Sequence, residues 1–240
     1  MEQNIVEKHS AFQSIVLHLF PGILMGIFYF LVRQPVMTIG YPPVFALVLA
    51  AIFILIPFEL GYLLYQGKQK TGQFTLKGVI SYRQSIPWWQ YLVWVLGVFL
   101  VTGMIFTLIK PVGTWLQQYV FFWVPGLDMG LDGTYSKNAL IFTYSLFFVF
   151  VTVLGPLVEE LYFRGYLLPR TPGKFASVLH SFLFASYHVF SPWMIVIRTL
   201  GLLPMVYAVK RKNIYIGMIV HVLLNSLDMI TAIAFITKMA

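Results

Sequence analysis

"PLVEELYFRGYLLPR", residues 156 to 170, closes an apolar run that begins near residue 139. It sets Glu159, Glu160 and Arg164 where a lipid-embedded helix would most easily be built from Leu and Phe. An ionised side chain at bilayer depth costs about 2.5 to 3.5 kcal/mol on insertion scales, so such groups face a protein interior or a water-filled cavity. Glu160 and Arg164 are spaced i, i+4 with the acid N-terminal, the favourable order for an ion pair on one helix face. Glu159 is left without that partner, and a partly desolvated carboxylate is a stronger base than one in water. The stretch therefore reads as a membrane helix carrying one structural ion pair and one chemical candidate, with a purely structural polar knot as the competing reading.

The rest of the chain supports the membrane assignment. Its 240 residues are 59% hydrophobic and 10% charged, with a mean hydropathy of +0.82, more apolar surface than a water-soluble domain can cover. Apolar stretches at 11 to 31, 43 to 65, 88 to 109, 139 to 163, 174 to 190, 192 to 209 and 214 to 236 approach or exceed the ~20 residues a spanning helix needs. The expected fold is an all-α polytopic bundle of about seven transmembrane helices, within a range of six to eight. The short fifth stretch and the aromatic "WLQQYVFFWV" at 115 to 124 are the candidates for re-entrant or interfacial segments. Residues 1 to 240 read as one integral membrane domain, and the first apolar stretch, lacking a small-residue cleavage site, is expected to stay as a helix. There is no cysteine, which excludes disulfides, thiolate ligands and a cysteine nucleophile.

The net charge of +8 reads as topology, with no nucleic-acid partner, because the basic residues fall between apolar runs. With the N-terminus inside, alternate loops hold ten of them: Lys8, Lys68, Lys70, Lys77, Arg83, Arg170, Lys174, Lys210, Arg211 and Lys212. The other side holds four, Arg33, Lys110, Lys137 and Lys238, and Arg164 and Arg198 lie within helices. Cytoplasmic loops carry the Lys/Arg excess, so a cytoplasmic N-terminus in the cell membrane is expected. Pro21 and Pro57 are expected to kink their helices, and the Gly22/Gly26 pair reads as helix packing.

Of the eight carboxylates, Glu2, Glu7, Asp128 and Asp132 belong to tails or loops. Glu59, near the end of its stretch, reads as reaching the interface. "FLFASYHVF" puts Phe184 and His188 one turn apart, and "HVLLNSLD" sets His221, Asn225 and Asp228 at i, i+4 and i+7 on one face. His18 and His180 read as packing histidines, and Asp228 as a candidate partner for Arg198. Three helices thus present polar groups inward, and at ~1.5 Å rise per residue their depths differ by one to two turns, which tilt can close. Glu159 is placed to take a proton from water, His188 to position that water, and His221 with Asn225 to donate to an oxyanion: amide hydrolysis by an activated water. HExxH, GxGD and GxSG elements do not occur.

In these residues the sequence resembles the CAAX protease and bacteriocin-processing family of intramembrane endopeptidases, also called the type II CAAX prenyl protease or abortive-infection family. The family pattern is EExxxR, FxxxH and HxxxN/D, met here by Glu159, Glu160 and Arg164, by Phe184 and His188, and by His221 and Asn225. The resemblance covers about residues 139 to 236. It implies a helical fold with a conical cavity open toward the cytosol and a glutamate-activated water with no cofactor or metal. It implies water activation by Glu159 and His188, an oxyanion hole of His221 and Asn225, and support from Glu160, Arg164 and Phe184. The implied substrate is a peptide or protein, prenylated at a CAAX end or of bacteriocin type. Two other readings stay open: a zinc peptidase using His188, His221 and one glutamate, and a non-catalytic immunity or transport protein in which the same groups form a relay.

Overall fold

The structure is a computed structural model and describes residues 6 to 239, so Glu2 lies outside the described residues. Its elements are helical: α1 (Ala11–Thr38), α2 (Val44–Thr71), α3 (Trp88–Val120), α4 (Lys137–Arg170), α5 (Ala176–Tyr187), α6 (Pro192–Gly201), α7 (Leu203–Arg211) and α8 (Ile214–Ile236). Five of them, α1 to α4 and α8, are long and apolar enough to cross a membrane. The bent pair α6 and α7, which meet at 41°, makes a sixth. All seven expected stretches are thus helical, and the fifth is the short one: twelve residues of α5, about 18 Å at the usual rise.

Helices are the form available here because every backbone N–H and C=O in hydrocarbon needs an internal partner. Proline inside such a helix removes one donor, and wide π-type turns take up the difference. In α2 the wide turn Ala51–Leu55 precedes Pro57, and in α4 the wide turn Phe148–Leu154 precedes Pro156. A second wide turn in α4, Glu160–Leu167, carries Glu160 and Arg164. Polar caps start three of the long rods: Ser10 and Gln13 form a reciprocal capping box on α1, the Ser136 side chain accepts from Ala139 N on α4, and the Asn213 side chain accepts from Ile216 N on α8.

Helix α4 is the central rod, packed against α1, α2 and α8. Helix α5 lies on α1, where close approach depends on Gly22: a Cβ there would stand 2.0 Å from the Tyr187 carbonyl oxygen. Gly26 does the same beneath the Val189 side chain, so the Gly22/Gly26 pair is a packing element that seats the end of α5. His18 and His180 are buried in this interface and bonded to each other, Nε2 to Nδ1, at 2.9 Å.

Contacts between loops and helix ends define the two ends of the bundle. At one end Lys8 Nζ donates to Pro169 O, His9 N to Arg170 O, Ser81 N to Gly165 O and Ile214 N to Tyr82 O. At the opposite end Tyr144 Oη donates to Met129 O at 2.8 Å and Lys137 Nζ to Met239 O at 2.6 Å. The N-terminus, the 72–87 loop and the 171–175 and 212–213 connections therefore share one end, and the 121–136 loop lies at the other.

Substituting Gly22→Val should force α1 and α5 apart and lower thermal stability in detergent by about 1 to 3 kcal/mol, the usual cost of overpacking. Gly97→Ala, at a position where nothing lies within 4 Å of the added Cβ, should leave the unfolding temperature unchanged.

Candidate active site

The site assembles on α4, α5 and α8. Glu160 has no exposed surface, and its Oε1 sits 3.1 Å from Arg164 Nη1 and 2.9 Å from His221 Nδ1. The Arg164 guanidinium, also without exposed surface, lies 3.8 Å above the Phe184 ring. Helix α8 comes this close because residue 217 is glycine: a Cβ there would meet Glu160 Oε2 at 2.6 Å. The expected i, i+4 pair is therefore present, and it binds α8 to α4 through His221.

Glu159 occupies a different environment. It and His221 keep 6% and 7% of their surface, and both line a cavity of about 720 Å³. His221 Nε2 stands 3.5 Å from Glu159 Oε2, a separation that a bound substrate can tighten. A carboxylate oxygen only accepts, so His221 Nδ1 donates to Glu160 and its Nε2 is the atom turned toward Glu159. The imidazole is held between the two adjacent glutamates, one closed off by an ion pair and one open to the cavity.

His188 and Asn225 line the same cavity. His188 Nδ1 donates to Phe184 O at 3.0 Å, which leaves Nε2 with a free lone pair. Asn225 Nδ2 donates to Val151 O at 3.1 Å. In a π-type turn that carbonyl would be received by the N–H of residue 156, which is a proline, so Asn225 satisfies an acceptor the helix cannot. One N–H of the amide is thereby used and the other is spare. Among the described residues neither His188 nor Asn225 bonds directly to Glu159, so the four catalytic candidates share one cavity and only Glu159 and His221 touch. No three His, Asp or Glu side chains among the described residues are placed to hold a metal ion together.

The structure corrects two expectations. Glu59 does not reach the interface: it has no exposed surface, neither carboxylate oxygen has a hydrogen-bond partner, and it lies beside Tyr187, Glu159 and Arg164. Its helix runs on to Thr71, through Gln66, Lys68 and Lys70, so residue 59 is mid-rod and not near an end. Asp228 and Arg198 form no ion pair among the described residues. Both line the cavity, and Arg198 Nη1 instead donates to Ser191 Oγ at 2.8 Å. The cavity extends to Lys110, Thr114, Gln117, Leu127 and Met129, at the end that carries the 121–136 loop, opposite the N-terminus. Tyr187 was not singled out by any motif, and its buried hydroxyl donates to Met25 Sδ at 3.2 Å, in the neighbourhood of Glu59 and Glu159.

Residues 141–227 match the family model described as Type II CAAX prenyl endopeptidase Rce1-like. The matched stretch contains Glu159, Glu160, Arg164, Phe184, His188, His221 and Asn225, and the resemblance carried by the three motifs is shown by it. It stops short of α1 to α3 and leaves Glu59 outside. No curated protein and no solved structure matches the chain. The similarity and the apolar helices together support an integral membrane protein with protease activity toward a peptide or protein.

Glu160→Gln should lower stability by about 3 to 5 kcal/mol, because it leaves the Arg164 charge buried without its ion-pair partner. Thermal unfolding of the purified variant in detergent checks this, and adding Arg164→Met should recover part of the loss.

Proposed function

We propose that this protein is an intramembrane endopeptidase that hydrolyses a peptide bond with a water activated by Glu159. The observation that carries the reading is the division between the adjacent glutamates: Glu160 is sealed by Arg164 and His221, whereas Glu159 opens on the cavity. Glu159 takes a proton from water as the oxygen attacks the substrate carbonyl, and the free lone pair of His188 Nε2 orients that water. Charge then develops on the carbonyl oxygen. His221, protonated on Nε2 and held by Glu160 through Nδ1, donates to it together with the spare N–H of Asn225. Collapse of the tetrahedral intermediate returns the proton from Glu159 to the departing amine. Phe184 carries Arg164 on its face and supplies the carbonyl that fixes His188, so it supports both halves of the site.

The substrate is a peptide or protein, a prenylated CAAX end or a bacteriocin-type precursor, and no cofactor takes part. The ten-to-four distribution of basic residues supports a cytoplasmic N-terminus in the cell membrane.

The test is cleavage of a quenched fluorescent peptide library, with and without a C-terminal farnesyl-cysteine, by purified protein in the presence of a chelator. Glu159→Gln should lower turnover by about 10² to 10⁴, the contribution of a positioned general base, while retaining the wild-type unfolding temperature. Activity that chelator abolishes and zinc restores would contradict the reading, as would equal cleavage by the variant.

A further inference from the structure

The two ends of the bundle are distinct in charge as well as in contacts. Every one of the ten basic residues Lys8, Lys68, Lys70, Lys77, Arg83, Arg170, Lys174, Lys210, Arg211 and Lys212 lies at the end that holds the N-terminus. Hydrogen bonds tie that end together, with Lys8 on Pro169, Lys70 on Gly78 O, Lys210 on Ser177 Oγ and Lys212 on Gln90 Oε1. The far end holds Arg33, Lys110, Lys137 and Lys238. By the Lys/Arg bias of short loops, the N-terminal end is cytoplasmic.

The cavity belongs to the other end. Its walls include Thr114 and Gln117 near the end of α3, Leu127 and Met129 of the 121–136 loop, and Trp193 at the start of α6. No residue of the 72–87, 171–175 or 212–213 connections lines it. Glu159 has eleven residues of α4 between it and the N-terminal end and twenty-two on the other side, so it is the cavity lining and the sealed Glu160–Arg164 pair, and not depth along the helix, that turn the site away from the N-terminal end. Exposed Trp115 and Tyr119 at the end of α3, and Phe122 and Trp123 just after it, lie at the far end, as aromatic side chains do at a membrane surface.

We infer that the cavity opens on the non-cytoplasmic face of the membrane and that its peptide substrate is presented from that face. A secreted or surface-exposed peptide, or the outward end of a membrane-anchored one, can reach Glu159 by this route. A lipidated C-terminus in the cytoplasm would meet the closed end. The substrate part of this inference rests on the proteolytic reading, and the sidedness does not.

The chain has no cysteine, so single introduced thiols report sidedness without a background. Thr134→Cys in the 121–136 loop and Gln73→Cys in the 72–87 loop are exposed positions that leave the charge count unchanged. On intact cells a membrane-impermeant maleimide should label Thr134→Cys at least tenfold more than Gln73→Cys, and permeabilisation should equalise the two. Preferential labelling of Gln73→Cys, or equal labelling of both on intact cells, would overturn the inference. A bulky maleimide on Thr114→Cys, at the cavity wall, should then block peptide cleavage, whereas the same reagent on Gln73→Cys should not. Inhibition from Gln73→Cys alone would overturn the route, and wild-type protein that cleaves no peptide would count against proteolysis while leaving the labelling result standing.

Discussion

A guanidinium with no exposed surface must be answered inside the protein, and here Glu160 answers Arg164 at 3.1 Å. Removing one partner of such a pair leaves an uncompensated charge in a medium that cannot solvate it, which is why the geometry around the pair is closed on every side. Phe184 lies under the guanidinium, Gly217 lets α8 approach the carboxylate, and His221 Nδ1 shares Oε1 with Arg164. Three helices are thereby held at one depth, and the orientation of His221 follows from it.

That arrangement produces two carboxylates of different character from adjacent residues. The wide turn over Glu160–Leu167 directs Glu160 into the helix interface, and Glu159, one residue earlier, faces the cavity. The same economy of backbone appears at Pro156, where the carbonyl of Val151 is left to Asn225. A catalytic candidate is thus tied to the helix distortion that the proline imposes. Three carboxylates are buried close together here, since Glu59 from α2 lies with Glu159 and Glu160 near Tyr187 and Arg164.

Much of this was legible in the sequence. Apolar length gave the helices, and the i, i+4 rule gave the Glu160–Arg164 pair. The three polar clusters on late helices named residues that do share a cavity, and the packing reading of Gly22, Gly26, His18 and His180 agrees with the contacts. What was not legible depends on rotation and tilt. Glu59 was misplaced because Gln66, Lys68 and Lys70 end the hydropathy signal before the helix ends. Arg198 and Asp228 were matched as the two leftover charges, yet their helices set them apart on the cavity wall. Which end of the bundle the cavity reaches is set by how the helices pack together, for which the sequence carries no local pattern. There the resemblance, with its cytosolic opening, and the charge count pointed in opposite directions.

The central claim is that the carboxylate of Glu159 acts as a base within the cavity, and chemical rescue tests it most directly. Formate added to Glu159→Ala should restore cleavage in proportion to its concentration, because a small carboxylate can occupy the vacated space and accept the proton of water. It should do nothing for Glu160→Ala, where the missing group is a structural counter-charge. No rescue of Glu159→Ala, or equal rescue of both variants, would contradict the account.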